Sequence, residues 1–381
     1  MKFLHISLIT IIISLLILIN SIYQNNKEYP PRFKTQQQIE YKNNLENLHK
    51  NGTVNGEGWA RKAIWRYKRN YIKYHSIFIK EWDYYASYIS DLKLWICMTI
   101  SDLGYAGLYS ISVIDLNVNR YNQIEEIIPL PLGKINLPEN SLDDHLINFE
   151  GKKLKITYEK KSNKRIIKAR SENLILPNGK KGINIILEMN QNEKGESINI
   201  QTTWNHNRQL FYLNEKINGL ESKGKLIIEK EEIKFKGPTF TVLDWGRGVW
   251  AYKGTWYWSS ATGIGKKNVK YGFNLGYGFS DRSPATENCI FYNEIIHKVD
   301  QIIFNIPNNI YHKWIIQSND GKVNLFFYPK VNRMSRMNFI IIKSVQDQVF
   351  GVFEGVLKLD DGKEIFVKDL YGFAEKVYNR W

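Results

Sequence analysis

Cysteine is nearly absent: Cys97 and Cys289 are the only two in 381 residues. They lie far apart, each among apolar residues. That pattern reads as buried free thiols, with one long-range disulfide as the alternative, and it excludes a disulfide scaffold. Metal and hydrolase signatures are missing too. There is no CxxC, no HExxH and no GxSxG, and the seven histidines show no ligand spacing. Zinc and serine-hydrolase chemistries therefore lack their usual marks, and neither a metal nor a cofactor is expected. The stretch 219–225, GLESKGK, carries the first seven positions of a phosphate loop, but Leu226 stands where Ser or Thr is required. A strand-like LIIEKEEIKF follows it, not the helix whose N-terminus would hold a phosphate. Gly263-Ile264-Gly265 also leads into a β segment, so no dinucleotide fingerprint remains.

Negative charge is the scarcer sign. The chain has 38 Asp and Glu against 53 Lys and Arg, a net charge of +15. Such an excess can mark nucleic-acid or membrane binding. Here Lys is mixed with Asn and Ile throughout, with no arginine-rich tract and no nucleic-acid motif. Neither a nucleic acid nor a protein partner is predicted. The densest run, 152–181, has eleven Lys or Arg against two Glu. It spans two hairpins and reads as the solvated faces of exterior strands; contact with an anionic membrane is the sharper alternative.

Long apolar runs are limited to one. Residues 3–23, FLHISLITIIISLLILINSIY, match the roughly 20 residues that span a bilayer. An N-terminal apolar helix is expected there. It would serve as an uncleaved membrane anchor or, with Lys2 as a short positive flank, as an export signal. No small-x-small cleavage site follows it. Lys27, Arg32 and Lys34 come after the segment, and positive flanks tend to stay inside, so the side of the membrane is left open. Residues 25–51 are polar and read as a linker, with a weak helical pattern over Gln36–Lys50. Asn51-Gly52-Thr53 matches a glycosylation acceptor.

From Trp59 onward the texture is antiparallel β. Hairpin signals recur at Ser162-Asn163, Asn178-Gly179, Lys194-Gly195, Asp320-Gly321 and Asp361-Gly362. Between them lie alternating or apolar runs such as GLYSISVIDL, KLKITYE and VFGVFEGVLKL. Many strands joined by short turns predict an all-β fold of barrels or sandwiches. Gly237-Pro238 is the best punctuation for a boundary. The domains expected are residues 1–24 (anchor or signal), 25–51 (linker), 52–236 and 237–381.

Chemistry concentrates in 241–288. Four of the eleven tryptophans lie there: Trp245, Trp250, Trp256 and Trp258. Tyr271, Phe273, Leu275, Tyr277 and Phe279 fall on one face of a strand, while Gly272, Asn274, Gly276 and Gly278 leave the other bare. A bare face lets a backbone or a flat ligand approach closely. Asp244 and Arg247 read either as a structural ion pair or as a carboxylate tuned by burial and a guanidinium. Glu287 is a second candidate acid, and Asn288 a turn residue beside it. Trp82-Asp83-Tyr84 repeats the texture of one carboxylate among aromatic rings, as do Asp102 and Tyr105. The candidate catalytic residues are Asp244, Arg247 and Glu287. The candidate ligand-binding residues are Trp82, Asp83, Tyr84, Trp245, Trp250, Trp256, Trp258, Asn274 and Asn288.

At these residues the chain resembles the bacterial domain-of-unknown-function 2804 family. The matching pieces are GWARKAIWRYKRN (58–70), EWDYYASYISDLKLWICMTISDLGYAG (81–107), VLDWGRGVWAYKGTWYWSSATG (242–263), YGFNLGYGFSD with TEN (271–288), VNLFFYP (323–329), DQVFGVFEG (347–355) and DLYGFAEKVYNRW (369–381). They keep family order and cover nearly all of 52–381. The apolar N-terminus stands outside the pattern, and Thr203-Trp204 replaces an expected Pro-Trp. More distantly, the family is similar to calycin-type proteins with two lipocalin domains, among them carotenoid 1,2-hydratase and tocopherol cyclase. That resemblance implies two tandem lipocalin-like β-barrels and a large hydrophobic ligand, a lipid or an isoprenoid. It also implies, by analogy, a cofactor-independent hydratase, cyclase or isomerase. Asp244 would be its proton donor, Arg247 the tuner, and the tryptophans a wall that stabilises a carbocation. Three readings follow: a hydrophobic-ligand binding module, such an enzyme, or a structural envelope protein with filled barrels.

Overall fold

The computed structural model describes residues 38–339 and 341–381. The apolar segment 3–23 and its expected helix lie outside the described residues. Among the described residues no helix is long and apolar enough to cross a membrane.

Two large antiparallel sheets, each curled into a half-barrel, make up the fold. The first has thirteen strands. Its path runs through Arg120–Pro129, Ala106–Asp115, Leu94–Asp102, Ile79–Ile89, Thr239–Val249, Asn207–Ile228, Lys181–Asn190, Lys164–Ile175, Lys155–Lys161 and His145–Glu150. The second has nine: Ile295–Lys298, Cys289–Tyr292, Lys270–Tyr277, Lys253–Ile264, Glu364–Arg380, Lys343–Lys358, Val323–Asn338, Trp314–Ser318 and Ile302–Asn305. All five turn signals fall between consecutive strands. Ser162, Gly179, Gly321 and Gly362 supply the positive φ that these turns need. GLESKGK lies within the strand Asn207–Ile228, with a bulge at Gly219, and the chain continues as strand rather than as the helix a phosphate loop requires.

Side chains stitch the open edges that backbone ladders do not close. In the first sheet Glu126 accepts from the backbone N–H groups of Lys152, Lys153 and Leu154, and Asn122 donates to the Ile175 carbonyl. Across the second, the Phe304 N–H donates to the Tyr277 hydroxyl. The basic run behaves as an exterior face: Lys155, Lys161, Lys164, Lys168 and Arg170 are exposed, while Lys160 and Arg165 turn inward.

The chain changes sheet between Val249 and Lys253, beyond Gly237-Pro238. Thr239–Val249 pairs with Ile79–Ile89 and Asn207–Ile228, so it belongs to the first sheet. The Gly-Pro pair marks a turn inside one sheet, where a Cβ on Gly237 would stand 2.6 Å from the Ser90 hydroxyl. Residues 38–51 form no helix. Gln38 donates to the Val299 carbonyl, Ile39 N–H to that of Pro284, and Tyr41 packs on Trp65 at 5.4 Å. The apolar positions that gave a helical period are used by extended chain laid against the sheets, with Leu48 buried.

Three apolar cores result. One fills each half-barrel, and the third joins them. The joining core sets Tyr84, Tyr88, Trp95 and Val242 against Trp258, Phe350 and Phe373. Trp95 lies 5.1 Å from Tyr88, 5.4 Å from Phe350 and 5.8 Å from Phe373. Trimming such a ring to Ala costs about 3–5 kcal/mol. Cys97 and Cys289 are free and buried, Cys97 in this joining core and Cys289 in the first, so the long-range disulfide does not form.

Candidate functional site

The site follows from period-two alternation on strands that face each other across the two sheets. On Asn207–Ile228 the side chains of Tyr212, Asn214 and Lys216 share one face. They register with Gly248, Gly246 and Asp244 on the neighbouring strand. Gly246 in turn registers with Trp82. A Cβ on Gly246 would stand 2.1 Å from the Trp82 ring, so the glycine lets the indole lie over the strand. From the second sheet Trp256, Trp258 and Glu375 point to meet them. The result is a cavity of about 280 Å³ between the sheets, walled by Trp82, Tyr212, Trp250, Trp256, Trp258 and Phe279.

Trp250 is its aromatic hub. It lies 5.3 Å from Tyr212 and from Trp256, 5.6 Å from Trp82, 5.8 Å from Trp204 and 6.1 Å from Trp381. Phe279 joins this wall, 4.7 Å from Tyr212, rather than the face of Tyr271–Tyr277. The strand stops at Tyr277, and Gly278, at φ +102°, breaks the alternation. The bare face of Gly272 and Gly276 is filled by protein. A Cβ at either would meet Asn218 or Glu287 within 2.7 Å.

One lysine and three carboxyl groups line the cavity floor. Lys216 Nζ donates to Asp244 Oδ1 at 2.7 Å and stands 4.1 Å over the Trp258 ring. Asn214 Nδ2 donates to the same oxygen at 2.7 Å. Glu287 Oε2 accepts from the Tyr212 hydroxyl at 2.8 Å. Glu375 accepts from Trp256 Nε1 at 3.3 Å and from Gln348 Nε2 at 3.2 Å. Burial raises both glutamic acids; Asp244 adds to the effect and Lys216 opposes it. Glu375 is pushed up to about 7. Arg333 joins Lys216 in opposing the rise at Glu375, and burial outweighs both.

Polar groups behind the wall fix it. Trp258 Nε1 donates to Asn274 Oδ1 at 2.7 Å, and Asn274 Nδ2 donates to the Glu287 carbonyl at 3.1 Å. Asn288 Oδ1 accepts from Gly276 N–H at 2.6 Å and its Nδ2 donates to the Asp300 carbonyl at 2.8 Å. Tyr84 lies 6.0 Å from Trp258, its hydroxyl accepting from Gln348. Asn274, Asn288 and Tyr84 thus support the cavity, while Trp82, Asp244, Trp250, Trp256, Trp258 and Glu287 line it.

Asp83, Trp245 and Arg247 do not belong to it. Asp244 and Arg247 are three apart on a strand, so they face opposite sides, and the expected pair between them does not exist. Arg247 Nη1 lies 2.9 Å from Asp83 Oδ1 inside the first half-barrel, with its guanidinium 4.1 Å over Trp245. It also donates to the carbonyls of Trp82, Gly246 and Pro138. Asp102 accepts from Gly104 and Gly133 N–H groups, fixing turns, while Tyr105 lines the cavity mouth. Tyr212, Lys216 and Glu375 were not singled out from sequence. Their signal is polar side chains at period two on strands that are otherwise buried: Tyr212, Asn214, Lys216 on one, and Glu375 between Phe373 and Val377 on another.

No group of three or more His, Cys, Asp or Glu side chains among the described residues could hold a metal ion. Fold and site together define an all-β protein of two half-barrels with an aromatic, carboxyl-bearing cavity between them. The chain belongs to the family described as domain of unknown function DUF2804, whose model matches residues 38–381. No curated protein sequence matches it. Three solved structures are similar at low identity. A Nitrosomonas europaea protein with the AttH designation shares 10% identity at TM-score 0.46, covering 80% of this chain and 93% of the other. Kievitone hydratase from Nectria haematococca shares 11% at TM-score 0.41, over 89% and 98%. CghA with Sch210972 shares 7% at TM-score 0.46, over 80% and 88%.

Proposed function

We propose that the cavity between the half-barrels binds a largely apolar small molecule of the lipid or isoprenoid class, and that Glu375 is its general acid. The observation that carries this reading is the arrangement of Asp244, Glu287 and Glu375 around Lys216 in an aromatic chamber. Buried acids facing a cavity are a common mark of a working site. The placement of groups suits proton transfer to a carbon–carbon double bond. The Glu375 proton and the π pair would form a C–H bond, leaving a carbocation. The faces of Trp256, Trp258 and Trp250 would stabilise that charge. Water capture, ring closure or loss of a neighbouring proton would then complete a hydration, cyclisation or isomerisation, with a proton returning to the carboxylate. Asp244, held by Lys216 and Asn214, is the fixed counter-charge rather than the donor.

Native mass spectrometry with lipid extraction of the purified full chain tests the binding step. One defined apolar molecule per chain is expected. That molecule, or an unsaturated relative, is then incubated with wild type and with Glu375→Gln. The reading stands if wild type converts it and the variant binds without converting. Binding without turnover in either leaves a ligand-carrying module. An empty, folded protein that takes up no lipid removes the reading.

A further inference from the structure

The cavity opens beside an unusual hairpin. Val323–Asn338 and Lys343–Lys358 pair along their whole length, and Met337, Ile342 and Lys343 at their ends line the mouth. The connecting tip presents Phe339 and Ile341 outward, 64% and 65% exposed. Both sit on a pinned backbone. Phe339 N–H donates to the Ile342 carbonyl at 2.7 Å, Arg380 to the Phe339 carbonyl at 3.3 Å, and Tyr252 OH to the Ile341 carbonyl at 2.6 Å. These bonds fix the backbone of the tip and leave its apolar side chains in solvent beside the mouth, a placement found at interaction surfaces. Across the mouth Ile127 and Leu130 are exposed as well, at 53% and 54%.

Charge beneath the tip has one sign. Asn338 registers with Lys343, Lys343 with Arg380, and Arg380 with Lys253. Three cations thus stand side by side on three neighbouring strands. The next two levels inward are Met337, Ser344, Asn379, Gly254 and then Arg336, Val345, Tyr378, Thr255. The three levels contain four cations and no carboxylate, and Arg336 reaches back to Asp347. Like charges directly opposite one another across strands are unfavourable. An external anionic layer relieves that repulsion.

We infer that this end of the second sheet docks on an anionic lipid bilayer, with Phe339 and Ile341 in the acyl boundary and Lys343, Arg380 and Lys253 at the headgroups. Apolar side chains in front of a belt of basic ones are the pattern of interfacial membrane contact. The contact sets the cavity mouth against the membrane, so an apolar molecule would pass between bilayer and cavity without crossing water. It is independent of residues 3–23 and of whether Glu375 does chemistry.

A position-specific probe separates this contact from any held by the N-terminus. The full chain carries F339C or, as control, F366C; Phe366 is 75% exposed at the opposite end of the sheet, and the native thiols are buried. Each is labelled with an environment-sensitive fluorophore and mixed with vesicles of 30% phosphatidylglycerol in phosphatidylcholine, or of phosphatidylcholine alone. The expected result is a blue shift and loss of quenching by iodide at 339 on the anionic vesicles only. The shift is reduced several-fold at high salt or by K343E with K253E, while 366 stays aqueous. A 339 label that stays aqueous while the chain sediments with anionic vesicles overturns the inference. So does a blue shift without vesicles that grows with protein concentration, which would make the tip a contact between copies of this chain.

Discussion

Lys216 donates to Asp244 at 2.7 Å while lying 4.1 Å over the face of Trp258. The ammonium is thus shared between a carboxylate of its own sheet and an aromatic ring of the other. It sets the field felt by Glu287 and Glu375, whose protons it opposes. The half-barrels are joined by packing around Trp95 and, at the site, by this cation.

Lys216→Met leaves Asp244 buried without its partner. Breaking a buried pair from one side costs about 3–5 kcal/mol. The double variant Lys216→Met, Asp244→Leu removes both charges and should regain most of that loss. Urea unfolding of the two single variants and the double gives the coupling. A double variant no more stable than Lys216→Met would mean that the lysine matters chiefly through Trp258.

Glu375 gives a pH test with a definite sign. Its carboxyl is pushed from 4.5 up to about 7 by burial. Between those values the folded chain holds a proton that the unfolded chain has lost. The stability contributed by this group is therefore full below pH 4.5, falls as pH rises, and is gone above about 7. The window is worth about 3 kcal/mol. Glu375→Gln cannot titrate, so from pH 4.5 to 8 the variant should gain on wild type by that order. Parallel denaturation curves at the two pH values check it. A constant difference would place the Glu375 titration elsewhere.

How much of this could be read from the sequence depends on distance along the chain. Turns and strands are local, and the Xaa-Gly pairs fell where the hairpins close. The Trp-rich stretch was legible for the same reason: Trp250, Trp256 and Trp258 are close in sequence and meet in space. Tyr212, Lys216 and Glu375 come from strands remote from that stretch, and only the register of two sheets brings them to it. Asp244 and Arg247 mislead because they are neighbours in sequence. An odd spacing on a strand sends them to opposite faces, one into the cavity and one into the interior of the first half-barrel.

Arg247 and Asp83 are fully buried at 2.9 Å, away from the cavity. Asp83→Asn should lower stability by about 3 kcal/mol, as expected for a buried pair broken from one side. Ligand occupancy of the folded fraction should match wild type. Thermal unfolding alongside native mass spectrometry checks both. Loss of ligand at unchanged stability would return the Asp83 side of the sheet to the site.

Gly276→Ala probes the aim of Glu287. A Cβ there would stand 2.5 Å from Glu287 Oε1 and 3.0 Å from the Tyr257 carbonyl. The carboxyl is the softer neighbour, the far end of a side chain, so it should swing away from the Tyr212 hydroxyl while the strand keeps its ladder. Extra volume in a packed position costs about 1–3 kcal/mol, which a protein of this size can bear. The Tyr212–Glu287 hydrogen bond is the sensitive readout, because burial and the Glu287 charge together raise the Tyr212 phenol. Moving the carboxyl away should lower that phenol's pKa, seen by ultraviolet titration of the variant against Tyr212→Phe. If Glu287 takes part in the chemistry, turnover should fall at least tenfold with ligand still bound. Unchanged turnover with the phenol shifted would assign proton transfer to Glu375 alone and leave Glu287 as the anchor of Tyr212.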